Sequence, residues 1–294
     1  TPDRPGAVVK KHCRMTSARD WSGKVGEVWA SEWRRTDRSF ADLSRRLDAA
    51  ILDAAPHQGV ALDIGCGAGA TSIALARLRP DIDIVGADIA DELVAIARQR
   101  SGDMPNLRFV IGDLDRGMVD MAAPDLIVSR HGVMFFSDPT AAFARLLDTA
   151  APGVRLVFSC FRDASDNPWA SDLVAEVTGV AASRPRGYAP GPFGFADRDF
   201  VGGMLRGAGW RDAAAEAVDY RYVAGAGDDP VADAVDFFRR IGPIASVLRE
   251  IPKEGRAAIL DKLAAALHKR VEQGEVAFPA SAWIWRASGQ GRRP

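Results

Sequence analysis

The apolar positions of this chain change their period several times, and each change marks an element. Phe40, Leu43, Leu47, Ala50 and Ile51 recur at helical spacing with Arg and Asp between them, which predicts a helix over residues 36–54. From residue 60 short apolar runs alternate with helical stretches. Runs at 60–64, 81–87, 107–111, 125–129 and 154–161 read as strands, and residues 70–79, 91–100 and 139–150 as helices between them. Asp138 is placed to cap the last of these, with Pro139 at its first position. Such alternation with short links predicts a mainly parallel sheet covered by helices on both faces. Beyond residue 161 the rhythm loosens. Residues 168–182 and 197–208 read as helices, and 183–197, rich in Gly and Pro, as a loop. Residues 220–224 and 280–286 read as two further strands, and 229–273 as two or three helices broken at Pro243 and Pro252.

The fold expected is therefore α/β, a Rossmann-like, doubly wound, mainly parallel seven-stranded sheet with a helical insertion before its last strand. The organisation expected is an N-terminal helical segment (1–54), a core (55–228), a helical cap (229–275), and the last strand with a tail (276–294). Residues 1–18 and 288–294 are polar and aperiodic and are expected to fray.

Composition narrows the classes. A chain of 294 residues, nearly half apolar and about a quarter charged, can build a full core. The formal net charge is −1 and both signs are spread along the chain, so no basic stripe suggests nucleic acid. Cys13, Cys66 and Cys160, like His12, His57, His131 and His268, are too scattered for a metal site or a disulfide framework. No stretch approaches the length of a bilayer span, and Lys10, Lys11 and Arg14 are not followed by an apolar run, so neither membrane nor export signal is expected. The expectation is a cytoplasmic protein with a small-molecule partner; a homodimer stays open.

The central chemical signal is Asp63-Ile64-Gly65-Cys66-Gly67-Ala68-Gly69, set between a predicted strand and a predicted helix. Glycines let a ligand approach the backbone, and the turn aims free N–H groups into the crevice at the strand's carboxyl end. Two cofactor classes fit. Gly65, Gly67 and Ala70 loosely satisfy the dinucleotide pattern, and Asp88 lies 21 residues after Gly67. Asp63 discriminates between them, because a carboxylate just before the glycines opposes a pyrophosphate and suits a ligand with a cationic end.

Residues 60–69 resemble the first motif of class I methyltransferases that use S-adenosylmethionine (SAM). The resemblance continues at Val85-Gly86-Ala87-Asp88-Ile89, Gly112-Asp113-Leu114 and residues 129–136. Outside the core it takes in Trp21, Gly26 and Trp29, Asn167-Pro168-Trp169 and Pro192-Phe193-Gly194-Phe195, pieces similar to a bacterial branch acting on small molecules. In all it covers residues 20–287. It implies that Asp88 accepts from the ribose hydroxyls, that Ile89 packs on the adenine, and that Asp113 and the Leu114 N–H meet the adenine edge. It further implies that Gly65, Gly67 and Ser129 lie near the methionine moiety, where Asp63 helps hold the ammonium. Trp21 and Trp29 would belong to an N-terminal lid. S-adenosylhomocysteine would be the product.

Methyl transfer from a sulfonium is an in-line displacement in which the reagent carries its own activation, so the protein supplies proximity and water exclusion. No nucleophile motif is needed, and GxSxG, HExxH and a P-loop are absent from the sequence. A base helps when the acceptor must lose a proton. His131 is the candidate, standing where the related branch usually has Phe; the alternative is an aromatic wall. Arg130 is a candidate partner for the acceptor or for a local carboxylate. Met134, Phe135, Phe136, Trp169, Phe193 and Phe195 are candidate pocket walls, and Phe237, Phe238, Ile241 and Ile244 face either the acceptor or the cap's own core. The rival readings are an NAD(P)-dependent oxidoreductase, a non-catalytic SAM-binding regulatory protein and an RNA methyltransferase. An apolar acceptor, such as a polyketide, quinone or lipid-like alcohol, is suggested by the aromatic-rich loops.

Overall fold

The computed structural model describes residues 21–181 and 187–290; the predicted N-terminal tail and part of the predicted loop after residue 182 lie outside them. Among the described residues the N-terminal region includes the helices α1 (Lys24–Ser31), α2 (Trp33–Ser39) and α3 (Ala41–Ala54). The helix expected over 36–54 is thus interrupted, and Phe40 is the joint, ending α2 and opening α3. Its ring is drawn into an aromatic cluster with His131, Phe161 and Tyr222, at centroid distances of 4.8, 5.8 and 6.1 Å.

The alternating region folds as the periodicity demands. β1 (Gly59–Ile64), α4 (Ala70–Leu78), β2 (Ile82–Asp88), α5 (Asp91–Ser101), β3 (Leu107–Ile111), β4 (Leu126–Arg130), α6 (Pro139–Thr149) and β5 (Arg155–Phe161) follow in order. β1 lies between β2 and β4, parallel to both, which explains its unbroken apolar run: a central parallel strand is covered on both faces. Asp63 is the exception, and its burial therefore needs a reason. Asp138 caps α6 by accepting from the Ala141 N–H at 3.0 Å.

The remaining elements are α7 (Asp172–Thr178), α8 (Arg198–Gly207), β6 (Arg211–Gly225), α9 (Pro230–Phe238), α10 (Pro243–Glu250), α11 (Lys253–His268), β7 (Val271–Glu272) and β8 (Glu275–Ser288). The sheet order is β3-β2-β1-β4-β5-β8-β6, with β8 antiparallel to both neighbours. An eighth strand, β7, adds a two-residue hairpin arm to β8, turned by Gln273 and Gly274 at φ 52° and 78°. The helical reading of 229–273 therefore stops at His268, and the cap comprises three helices whose starts carry the two prolines. The last two long strands extend well beyond the segments expected. Residues 211–219 carry the exposed Asp212, Glu216 and Asp219, whose exposure does not keep one alternation, and a bulge near Asp212 breaks the register with β8. Nor does the chain fray at residue 288: Ser288 ends β8 and the Gly289 N–H donates to the Val154 carbonyl at 2.9 Å.

The N-terminal helices, the sheet and the cap share one hydrophobic core. Phe40, Leu43 and Leu47, the strand residues Leu62, Ile127 and Val157, and the cap residues Phe237, Ile244 and Leu263 belong to a single buried cluster. Ionic contacts stitch the same pieces together. Glu32, almost fully buried, pairs with Arg35 and with Arg240 of the cap, both at 2.7 Å. Arg35 and Arg38 both reach Asp233 of α9 at 2.7 Å. No helix among the described residues is long and apolar enough to cross a membrane.

Candidate active site

The strand order reverses between β1 and β4, and there a deep cavity opens at the carboxyl ends of the parallel strands. It takes in about 1530 Å3 of space, open solvent at its mouth included, and its lining divides into two halves of different chemistry.

One half is built from strand ends. The turn after β1 is held by backbone geometry: Gly65 takes φ 62°, and a Cβ there would lie 2.9 Å from the Gly132 Cα of the loop after β4. A Cβ on Gly67, by contrast, would meet nothing within 4 Å, so this glycine keeps the cavity open. Asp88 ends β2 with both carboxylate oxygens engaged, accepting from the Gly67 N–H at 2.8 Å and the Ala90 N–H at 2.9 Å. It therefore braces the glycine turn and the start of α5 while lining the cavity. Burial raises its pKa, against the lowering pull of those backbone N–H groups. Asp63 accepts from the Ser72 hydroxyl at 2.5 Å; burial pushes its pKa up to about 7 despite that bond. Ile89, Asp113 and Leu114 line the same wall, and Asp113 also accepts from the Asp115 N–H at 3.1 Å and pairs with Arg116 at 3.4 Å. Trp21 and Trp29 also line the cavity. Their rings lie 5.5 Å apart, and Trp21 packs edge-on against Phe135 at 5.1 Å.

The donor set fits SAM. Asp37, Asp63, Asp88, Asp113 and Asp115 line the cavity, whereas Arg130 is the only Lys or Arg among the described residues to do so. That excess of carboxylates suits a ligand carrying an ammonium and a sulfonium and opposes a pyrophosphate. Asp63 supplies the reason for its own burial: a carboxylate retained at the edge of an apolar strand is costly unless something cationic rewards it.

The other half is aromatic. Phe40, Phe161, Trp169, Tyr222 and Phe237 line it, joined by Ile241 and Met134. Trp169 and Tyr222 stack at 5.0 Å with their planes 6° apart, and the Trp169 indole N–H donates to the Asn167 side chain at 3.2 Å. Arg130 borders the cavity but its guanidinium is taken, donating to Asp37 at 2.7 Å and to the Ser44 hydroxyl at 3.0 Å. Asp37 also receives Arg100 at 2.7 Å, so this carboxylate ties α2 to both the end of β4 and α5. Of its two anticipated partners, Arg130 has the local one.

His131 follows β4 at φ 61°, a conformation uncommon for a residue with a side chain. Its ring sits between Phe40 and Phe161, 4.8 and 4.3 Å away, and its Nδ1 lies 2.9 Å from the Ser159 hydroxyl. Burial, with the neighbouring Arg130 charge, pulls the imidazole down to about 3. An imidazole so lowered is a weaker base than free histidine, which favours the wall over the base among its two expected roles.

Most of the residues expected from sequence meet in this cavity: Trp21, Trp29, Asp63, Gly65, Gly67, Asp88, Ile89, Asp113, Leu114, Arg130, His131, Met134 and Trp169 all line it. Ser129, Phe193 and Phe195 do not. Ser129 is fully buried, and its hydroxyl donates to the Ile64 carbonyl at 2.6 Å and accepts from the Gly132 N–H at 3.1 Å, pinning the two loops together. Phe193 packs behind Phe161 and Trp169, and Phe195 is buried against Phe143 and Phe158. Of the four cap residues, Phe237 and Ile241 reach the cavity, while Phe238 and Ile244 belong to the core. Thr36, Asp37, Phe40, Phe161 and Tyr222 were not anticipated as lining residues. Their periodicity marks a buried face and carries no sign of which cavity that face borders.

A glycine turn braced by an acidic strand end, at the switch point of a Rossmann-like sheet and beside an excess of carboxylates, fits a SAM-dependent methyltransferase. Comparison with known proteins agrees. A profile described as a methyltransferase domain matches residues 61–153. The chain is 30% identical to the trans-aconitate 2-methyltransferase of Methylobacterium radiotolerans over 78% of its length and 85% of that protein's. It is 31% identical to the demethylmenaquinone methyltransferase of Deinococcus radiodurans over 45% of its length and 58% of that protein's. In fold it resembles the SAM complex of phosphoethanolamine N-methyltransferase 2 from Haemonchus contortus, with a TM-score of 0.54 and 14% identity over 93% of this chain and 60% of the other. The chain belongs to the class I SAM-dependent methyltransferase family, in its bacterial small-molecule branch; it is an enzyme, and its cofactor is SAM.

Proposed function

We propose that this enzyme transfers the methyl group of SAM to an uncharged, largely apolar small molecule with an aromatic or polyketide-like frame. One observation carries the reading: the acceptor half is walled by Phe40, Phe161, Trp169, Tyr222 and Phe237, and the Arg130 beside it already has its counter-ion in Asp37. A polycarboxylate acceptor, such as the one named for the Methylobacterium relative, would bring several negative charges to a cavity bordered by five carboxylates and, among the described residues, no unpaired cation. The Deinococcus relative, named for a quinone acceptor, offers the matching chemistry.

On this reading Asp88 receives the ribose hydroxyls on the carboxylate lone pairs left over from the glycine turn. Asp113 and Leu114 meet the adenine edge, and Ile89 its face. Asp63 and the backbone at Gly65 and Gly67 hold the ammonium end. SAM supplies an activated methyl on its sulfonium. The chain's residues fix the acceptor in line with that methyl and exclude water, with Trp21 and Trp29 closing the mouth. No side chain has to act as nucleophile.

The test is product analysis. Purified enzyme and SAM are offered neutral phenols, hydroquinones and macrocyclic alcohols in parallel with trans-aconitate and citrate, and S-adenosylhomocysteine is measured. Turnover is expected with the neutral apolar set. Turnover confined to the polycarboxylates would refute the proposal.

A further inference from the structure

Two of the side chains lining the acceptor half carry a buried polar atom without a hydrogen-bond partner: Nε2 of His131 and the hydroxyl of Thr36. Leaving such an atom unpaired costs about 1–3 kcal/mol, so these two, like the Trp21 Nε1 and an Asp115 carboxylate oxygen elsewhere in the cavity, need an explanation. The geometry links them. Thr36 stands one helical turn before Phe40, whose N–H donates to the Thr36 carbonyl at 3.2 Å, and the Phe40 ring lies 4.8 Å from His131. Thr36 and His131 are thus both neighbours of Phe40, one through the backbone and the other through its ring, and both line the cavity. His131 is held in place by its Nδ1 contact with Ser159, by the backbone bond from its N–H to the Ser159 carbonyl at 3.1 Å, and by Phe40 and Phe161. None of these contacts engages Nε2.

Resting on the acceptor class proposed above, we infer that Thr36 and His131 are the specificity-determining pair for the acceptor, each hydrogen-bonding a hydroxyl of a planar apolar frame. A hydroxyl suits both, because it donates or accepts as required. The Thr36 hydroxyl does the same, and Nε2 does one or the other according to which imidazole nitrogen carries the proton. A carboxylate would suit neither as well, since it only accepts and must surrender its hydration beside Asp37. His131 is a positioning residue in this scheme. It holds an acceptor oxygen in line with the methyl and takes no proton, so glutamine, whose amide also offers a donor and an acceptor, should substitute for it.

Calorimetric titration of the enzyme loaded with S-adenosylhomocysteine tests the inference, with naphthalene, 1-naphthol and 1,5-dihydroxynaphthalene as probes. Affinity should rise in that order. Thr36→Val and His131→Phe should each weaken 1,5-dihydroxynaphthalene about five- to tenfold, the loss of one net hydrogen bond, while leaving naphthalene unchanged. His131→Gln should recover most of the loss. Unaltered affinity for S-adenosylhomocysteine reports that each variant is folded. Equal losses for naphthalene and its diol, no loss in either variant, or a glutamine variant as weak as phenylalanine would overturn the pair while sparing the acceptor class. Failure of all three probes to bind, with turnover of trans-aconitate, would overturn both.

Discussion

The two halves of the cavity are built by different rules. The cofactor half comes from the carboxyl ends of consecutive parallel strands, and backbone does much of the work: two glycines, a carboxylate bracing the turn, and a hydroxyl pinning adjacent loops. The acceptor half has no such frame. Its walls come from the α2–α3 joint, the end of β5, the segment before α7, β6 and the cap, separated by up to two hundred residues of chain. The first half must fit one cofactor and is stiff in its covalent geometry. The second is made of packed side chains that substitution can reshape without moving the sheet. The cavity is thus divided between a turn fixed by backbone geometry and a box of packed aromatic side chains.

That contrast can be broken at its strongest point by Asp88→Ala. The change removes acceptors from Gly67 and Ala90 as well as from the ribose, and SAM affinity should fall a hundredfold or more, on the order of 3 kcal/mol for charge-assisted bonds lost together. Calorimetry measures it, and a loss below tenfold would contradict the bracing role. Gly65→Ala should cost about 2 kcal/mol of stability, because a side chain at positive φ would also press on Gly132. Gly67→Ala should cost less stability but narrow the cavity; comparing their thermal midpoints and SAM affinities separates scaffold from site.

The third prediction concerns pH. Asp63 is held near 7, above its value of about 4 in an unfolded chain. Its contribution to the stability of the unliganded fold is therefore fully present below pH 4 and is lost as pH rises through 7. Cofactor binding has the opposite sign, since an ammonium selects the ionised carboxylate. SAM affinity should be level above pH 7 and decline towards tenfold per unit below it. Asp63→Asn should flatten both profiles, and a pH-independent affinity in the native enzyme would show that the ammonium lies elsewhere. The smallest effect belongs to the acceptor half. Trp169→Phe, which opens the box and removes one of the donors to the Asn167 carboxamide, should raise the acceptor KM about three- to fivefold and leave S-adenosylhomocysteine affinity within a factor of two.

The unequal legibility of the halves in sequence follows from the same difference. Asp63, Gly65, Gly67, Asp88, Asp113 and Leu114 lie in short stretches whose residue types are dictated by backbone geometry and cofactor charge, so the pattern is local and can be read directly. The parallel strands and their helices were equally legible, because burial on both faces leaves an unbroken apolar run. The full lengths of β6 and β8 were not: one-sided, irregular in their polar positions and bulged, they carry a weak local signal. Thr36, Phe40 and Tyr222 read as ordinary helix and strand residues, since nothing local distinguishes a side chain facing a cavity from one facing the core.

The sequence by itself therefore determined the sheet, the glycine turn and the cofactor, because backbone conformation and a fixed ligand constrain neighbouring residues together. Only the tertiary structure decided that Arg130 pairs with Asp37, that His131 is buried with one nitrogen unpaired, and that Phe40, Phe161, Trp169, Tyr222 and Phe237 meet in one half of the cavity. Each of those properties arises between residues far apart in the chain, where burial and pairing, rather than residue type, set the charge a site presents.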